Sequence, residues 1–467
     1  MNSIIIVLLV VVCVAIVFIV PGHAAGALVV CVVTSIPTMI VLVRSGPERT
    51  FLIRLFLLGL IVRLIVATGI FALHKEEFFG GDAITYDAFG DSLLRSWSGD
   101  TYHSARYLSF VQSGGSAWGM LYVVAFVYQI VGRNLFAIQL LNASIGSATA
   151  AVVYYNAKTL FNNERVSRLS AMLVCFFPSL VLWSSQALKD GLIVLTLSLA
   201  ILATLKLLEK VSIGYICLLT GCLFGLLSLR FYIFYMMAAA VIGSFVIGMK
   251  SMNNQSFVGR FIAIALIGLA LTWVGVLRYA TAQFEQYGNL KMIQTVRQDQ
   301  AMAGSGFGQD VDVGTAGGAL TAIPQGLVYL LFAPFPWQFA SARQSLALPE
   351  MAVWWLCFPL LILGIWYSMK HRLRKVVPIF LFTTMLTLAY SLFQGNVGTA
   401  YRQRSQLLVF YLIFVAVGAI LLKERAEDRQ RSQLKAKQAL ADLQAARVRA
   451  RRKSTEFDHP ESMPRPT

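Results

Sequence analysis

Three carboxylates stand close together in the stretch GGDAITYDAFGD: Asp82, Asp87 and Asp91, with Tyr86 among them. The chain holds only 22 acidic residues in 467, so the crowding is a signal. A carboxylate at this place can take the proton of an attacking hydroxyl as a general base. Such a base needs, opposite it, an electrophile whose leaving group is stabilised by fixed positive charge. Lys189, Arg230, Arg402 and Arg404 supply candidates, all on one face by the topology below. Arginine suits a phosphate because its fork donates to two oxygens at once. A charge near the bilayer is costly unless it is paired or functional. If 82–97 is a helix, Asp82 and Tyr86 share one face, and so do Asp87 and Asp91. The assignment is therefore Asp82 as base, Tyr86 and Asp87 as acceptor-positioning residues, and the four cations as phosphate partners. The bland alternatives are an Asp82 that caps a helix N-terminus and an Arg230 that snorkels at the interface.

The elements that must position these residues are membrane helices. Hydrophobic residues make up 57% of the chain and charged residues only 13%, against about 25% charged in a soluble domain. This composition excludes an ordinary soluble enzyme and predicts an all-α polytopic membrane protein. The net charge of +17 lies mostly beside apolar runs and in the C-terminal tail. That follows the positive-inside rule and speaks for a membrane, with no nucleic-acid partner. The six cysteines sit in apolar runs and read as small apolar fillers, without a disulfide framework or a zinc site. The N-terminal run lacks a basic leader and reads as a retained span.

A span needs about 20 mainly apolar residues, and about 12 stretches qualify. They are 2–20, 26–43, 51–73, 136–157, 168–186, 189–208, 212–229, 231–249, 260–278, 351–369, 375–394 and 406–423. Two shorter apolar stretches, 117–132 and 325–339, read as interfacial or re-entrant helices; as true spans they would raise the number to about 14. With twelve spans and an inner N-terminus, the clusters at Arg44–Arg49–Arg54, Lys158–Arg168, Lys206–Lys210, Lys250–Arg260, 370–375 and the tail all fall inside. Both termini are then cytoplasmic. The outer face receives the long segments 74–135 and 279–350, with helical outer loops expected. The tail, 424–467, begins as a charged Ala/Leu/Gln-rich helix and ends in a proline-containing, disordered stretch. No internal repeat is visible, and no Walker A, GxSxG or HExxH motif.

The order of features resembles the GT-C superfamily of membrane glycosyltransferases, such as bacterial aminoarabinose transferases and protein O-mannosyltransferases. The pieces are GGDAITYDAFG (80–90), SAWGMLYVVAFVYQIVGRN (116–134), the stretch 142–185 with its basic inner turn and FFPSLVLWSS, and LKDGLIV (188–194). The similarity is best over 51–210. It divides the chain into two added N-terminal spans (1–50), a core (51–210) with outer loop 74–135, the remaining spans (211–423) with outer loop 279–350, and the basic tail. The resemblance implies transfer of a hexosyl or pentosyl group from a polyprenyl-phosphate carrier to a lipid, glycan or protein hydroxyl. The reaction takes place at the outer face of a bacterial inner membrane. It implies that Asp82 is the base and that Lys189, Arg402 and Arg404 lie near the carrier phosphate. The chain departs from the family in having Ala83 after Asp82, where an Asp-Glu pair is common. It also has a basic tail where relatives have a large outer domain.

Two rival readings remain open. An O-antigen or exopolysaccharide polymerase or ligase would use a diphosphate-linked oligosaccharide and outer-loop arginines, for which GTAYRQRSQ is suited. A lipid-linked glycan transporter or flippase would show mid-span charges and broken helices in matched halves, and few of either are seen. No cofactor is required by these residues. Asp310 and Asp312, in the glycine-rich AGSGFGQDVDVGTAGG, offer two carboxylates to a divalent cation; solvated loop side chains are the alternative. That glycine-rich loop reads as a mobile lid. LVYLLFAPFPWQF (327–339) reads as a kinked aromatic helix near the site, with Trp337 as interface anchor in the alternative.

Overall fold

The computed structural model describes residues 2–78, 81–112, 117–247, 254–273, 275, 289–338 and 342–457. Gly80, Lys250, the side chain of Arg260, much of the stretch after 273 and the prolines at 460, 464 and 466 lie outside the described residues. Among the described residues the chain is helical. Apart from an isolated antiparallel bridge between Gly306 and Asn396, no β-structure occurs there.

Two apolar helices, α1 (Asn2–Ile19) and α2 (Ala24–Val43), lead into α3 (Arg49–Ala72). The segment after α3 holds α4 (Asp82–Trp97), α5 (Thr101–Gln112) and α6 (Trp118–Val131). The central group is α7 (Leu135–Phe161), α8 (Glu164–Phe176), α9 (Pro178–Trp183), α10 (Asp190–Glu209), α11 (Ile213–Leu229), α12 (Phe231–Ile247) and α13 (Asn254–Trp273). The last part holds α14 (Leu290–Ala301), α15 (Ala316–Phe332), α16 (Ala342–Phe393) and α17 (Val397–Phe457).

Among the described residues, six helical stretches are long and apolar enough to cross a membrane: Ala24–Val43, Gly46–Ala72, Leu135–Phe161, Asp190–Glu209, Gln344–Phe393 and Val397–Arg447. Shorter apolar helices stand at Ser3–Ile19, Trp118–Val131, Ile213–Leu229, Phe231–Ile247 and Ala316–Phe332. The protein is an all-α polytopic membrane protein. The two spans expected at 351–369 and 375–394 are two helices that meet at a kink within α16, where Arg372 leaves the helical conformation (φ −136°, ψ 17°). The span expected at 168–186 is divided. Pro178 forces Phe177 out of the helical region, to ψ 124°, and starts the short α9. The ambiguous stretch 117–132 forms α6, of 14 residues. The stretch 325–339 is only the end of α15, which stops at Phe332.

Helix α7 is the hub, packed by α2, α3, α8 and α10. Its buried face is rich in small residues, including Ala143, Gly146, Ser147, Ala150 and Ala157. Such residues let membrane helices approach closely without a water-driven hydrophobic force. Helices α16 and α17 meet backbone to backbone. A Cβ on Gly364 would stand 1.9 Å from Phe414 O, and one on Gly418 2.1 Å from Leu360 O.

The basic clusters around Lys158, Arg165 and Arg168 gather at one end of the bundle. Arg168 donates to both oxygens of Glu48 (2.8 and 3.0 Å). Lys158 pairs with Glu164, and Arg165 reaches Glu427 at 2.8 Å on the stem of the tail. The carboxylate-rich start of α4 lies at the opposite end of α3, and from there the site is built.

Candidate active site

Three helix starts converge. Asp82 is the first residue of α4, Asp190 the first of α10, and Arg402 lies in the second turn of α17. Asp190 is fully enclosed, and Asp82 is half exposed. The Arg402 guanidinium bridges the two. Its Nη1 donates to Asp82 Oδ2 at 2.7 Å, and its Nε donates to Asp190 Oδ2 at 2.7 Å. It lies 5.9 Å over the Trp183 ring, whose face adds to its hold. The other oxygen of Asp190 is reached by Gln406 Nε2 at 3.4 Å. Gln406 Oε1 accepts from the Tyr390 hydroxyl, which in turn accepts from Arg230 Nη1 at 3.4 Å. Both arginines are thus linked to the one buried carboxylate.

Lys189 caps α10 one residue before that span begins, and only 6% of it is exposed. Its ammonium lies 5.9 Å over the ring of Tyr86. Burial pushes the ammonium down to about 7, with the neighbouring Arg230 adding to the effect. Burial likewise pushes the Tyr86 phenol up, and the Asp82 charge reinforces that. Tyr86 therefore stays a neutral hydroxyl at physiological pH. Three cations face two carboxylates here. With Lys189 protonated, one positive charge is left over.

Two cavities meet at this cluster, and both are lined by Arg230 and Gln403. The larger, about 670 Å³, has Asp82, Arg402 and Trp183 at one end. Neutral polar groups, among them Ser305, Gln344 and Asn396, line it elsewhere. The smaller, about 320 Å³, has Lys189 and Arg230 at its head. Phe231, Tyr232, Met292, Ile293, Val296 and Phe393 give it apolar walls, and Gln300, Gln394 and Gln403 add polar groups.

Of the residues singled out from the sequence, Asp82, Lys189, Arg230 and Arg402 come together, and Tyr86 lies beneath Lys189. Asp87 and Arg404 do not join them. Five residues after Asp82 on a helix is about 140° round its axis, so Asp87 turns to α6. There it accepts from the Tyr128 hydroxyl at 2.6 Å and from Arg133 Nε at 3.2 Å. Asp91 joins the same group, 3.6 Å from Arg133 Nη1. Asp87 ties α4 to Tyr128 and Arg133 and lines neither cavity. Arg404, two residues past Arg402, is about 200° round α17. It is buried among backbone oxygens, donating to Leu330 O at 2.6 Å and to Ala333 O, and does not line either cavity.

Asp190 is the residue that sequence reasoning missed. Its signal was an acid at the head of an apolar run, directly after Lys189. The glycine-rich loop borders the larger cavity through Ala303, Gly304 and Ser305. Asp312 Oδ1 accepts from the Gly314 amide at 2.7 Å, a local turn. Among the described residues no group of three or more His, Cys, Asp or Glu could hold a metal ion. Trp337 is 73% exposed and stacks on Phe335, 5.1 Å between ring centres.

Residues 117–274 match the family described as dolichyl-phosphate-mannose-protein mannosyltransferase. This is a GT-C glycosyltransferase family, and the resemblance read from the sequence holds. The matched stretch of this GT-C-like chain includes Lys189, Asp190 and Arg230, and stops short of Asp82 and Arg402 on either side. No curated protein matches the chain. Among solved structures it is similar to the archaeal oligosaccharyltransferase AglB from Archaeoglobus fulgidus, in complex with an inhibitory peptide and a dolichol-phosphate. The identity is 12% and the TM-score 0.41, over 68% of this chain and 43% of that one. The chain thus spans less than half of that structure, and the likeness is too distant to place any residue.

Proposed function

We propose that the protein transfers a hexosyl or pentosyl group from a polyprenyl-phosphate carrier to a hydroxyl of a lipid, glycan or protein. The reaction takes place at the extracytoplasmic face of a bacterial inner membrane, with both termini inside. The observation that carries this reading is the junction at Arg230 and Gln403. There a cation-headed groove with an apolar wall of Phe231, Tyr232, Ile293, Val296 and Phe393 shares Arg230 and Gln403 with the cavity that holds Asp82.

The carrier's isoprenoid chain lies along Phe231, Tyr232, Ile293, Val296 and Phe393, where it is removed from water. Its phosphate meets Lys189 and Arg230. The sugar projects past Gln403 into the larger cavity, towards Asp82. Asp82 takes the proton of the acceptor hydroxyl as that oxygen bonds to the anomeric carbon. The bond from the anomeric carbon to the phosphate oxygen breaks, and the phosphate leaves with the electron pair. The cations meet the charge that grows on it. One displacement inverts the anomeric configuration. Arg402, held by Asp190, fixes Asp82, and the buried Tyr86, which lines neither cavity, carries the Lys189 ammonium over its ring. The family match over 117–274 supports the reaction class, and the domain division at 51–210 is proposed with it.

Charge favours a monophosphate. A sugar phosphodiester brings one negative charge to a site with one positive charge in excess, whereas a diphosphate-linked oligosaccharide brings two. Transfer of radiolabelled sugar from defined polyprenyl-phosphate and polyprenyl-diphosphate donors tests this. Wild type should use the first, and Asp82→Asn should lose turnover. Transfer only from diphosphate donors would support the polymerase, and movement across liposomes without transfer would support the flippase.

A further inference from the structure

Helix α2 is the least buried of the six long apolar stretches: 22% of its span is buried, against 56% for α3 and 89% for α7. It packs on α7 and only lightly on α1 and α3. Between the three N-terminal helices this leaves a groove of about 530 Å³. One face of α2 lines it at helical spacing, from Leu28 through Val32, Ile36 and Ile40 to Arg44. Cys13 of α1 and Leu57, Leu60 and Leu64 of α3 form the opposite wall. Nothing above uses this groove.

Length and charge say what fills it. Leu28 and Arg44 are 16 residues apart, which is about 24 Å along a helix. The hydrocarbon core of a bilayer is about 30 Å thick, so phospholipid chains in one leaflet reach about 15 Å. The groove outruns them and suits a longer chain. Arg44, at the end of the stripe, is the one charged residue that lines it. It is exposed, and among the described residues its side chain has no ion-pair partner. A lone cation at the end of a long apolar groove suits an anionic headgroup, and a neutral lipid would leave it unused.

We infer that this groove is a second binding site for a polyprenyl phosphate, with the isoprenoid chain laid along α2 and the phosphate on Arg44. The site is separate from the one proposed for transfer. Arg44 precedes α3, which begins at Arg49, whereas Asp82 follows the far end of that helix. A carrier held here therefore has its head at the opposite end of the bundle from Asp82 and is not the reacting donor. The groove stands on its own geometry; naming the carrier as its occupant rests on the function proposed above.

Native mass spectrometry of the full chain in detergent, titrated with full-length polyprenyl phosphate, tests this. Val32 lines the groove and is 63% exposed, so Val32→Trp fills the groove without disturbing the core and should melt as wild type does. Val296→Trp blocks the other groove, which Val296 lines. Wild type should bind two molecules, each single variant one, and the double variant none. In the Val296→Trp background, Arg44→Gln should weaken the remaining binding about tenfold, and Arg44→Lys should keep it within a few-fold. Phosphatidylglycerol at equal concentration should not displace the bound carrier. Unchanged binding in Val32→Trp, unchanged affinity in Arg44→Gln, or displacement by phosphatidylglycerol each overturn the inference. If wild type binds one molecule and Val32→Trp none, this groove stands and the donor groove proposed above falls. If Val296→Trp alone removes all binding, this groove falls and the donor groove stands.

Discussion

At the scale of the residue, the site is an arginine held between two acids. Arg402 touches Asp82 and Asp190 at once, which fixes the proposed base before any acceptor arrives. Asp82→Asn should therefore lower kcat by about 10²–10⁴-fold and leave the donor KM within a few-fold, measured with radiolabelled donor. Lys189 gives a pH signature. Its ammonium is pushed down to about 7 by burial, so the free site loses that charge as pH rises through 7. A bound phosphate favours the protonated form, so binding takes up a proton above that pH. The donor KM should rise towards about tenfold per unit above pH 7, and Lys189→Arg should flatten the rise. A KM that stays level from pH 6 to 9 in wild type would remove Lys189 from the phosphate site. The sequence exposed Asp82, Lys189, Arg230 and Arg402 because each is a charge beside an apolar run. It hid Asp190, because full enclosure of one carboxylate depends on α10, α17 and α9 meeting. It also misassigned Arg404, because two residues of helical rotation matter only once the packing of α17 is known.

At the scale of the element, α4 and the groove below it make separate predictions. The cluster of Asp87, Asp91, Tyr128 and Arg133 fastens α4 to α6. Asp87→Asn should cost about 1 kcal/mol of stability, given that Arg133 is half exposed. The acceptor KM should not change; a large rise in it with unchanged melting would return Asp87 to the acceptor site. Val296 lines the apolar groove, and Val296→Trp should block a long isoprenoid chain. The donor KM should rise strongly for a full-length carrier and little for a short-chain analogue. Equal effects on both would place the chain elsewhere. Helix existence was legible in these elements from the apolar runs. The kink at Arg372 falls inside 370–375, the basic run expected to separate two spans. The break at Phe177 follows from Pro178 locally, and it divides a stretch expected as one span.

At the scale of the whole molecule, charge separates the two ends. The clusters at Glu48, Arg168, Lys158, Glu164, Arg165 and Glu427 pair with one another, and the proposed site lies at the other end of α3. A membrane-impermeant maleimide should label Asp312→Cys from outside in intact cells, and Gln430→Cys only after permeabilisation. The native cysteines that label should be blocked first, Cys217 being exposed. The opposite pattern would invert the topology. This polarity was readable in the sequence because lysine and arginine cluster between spans. The meeting of α4, α10 and α17 was not, since residues 82, 190 and 402 are joined only by the packing around α7 and α16.

The two cavities share one cationic seat at Arg230, and that has a consequence for turnover. On the proposed reaction, the spent carrier would keep its tail in the groove while its headgroup gained negative charge. The side chains proposed to ease bond breaking would then grip the leftover lipid more tightly than the substrate. Bare polyprenyl phosphate should therefore compete with the donor, and its clearance should limit turnover.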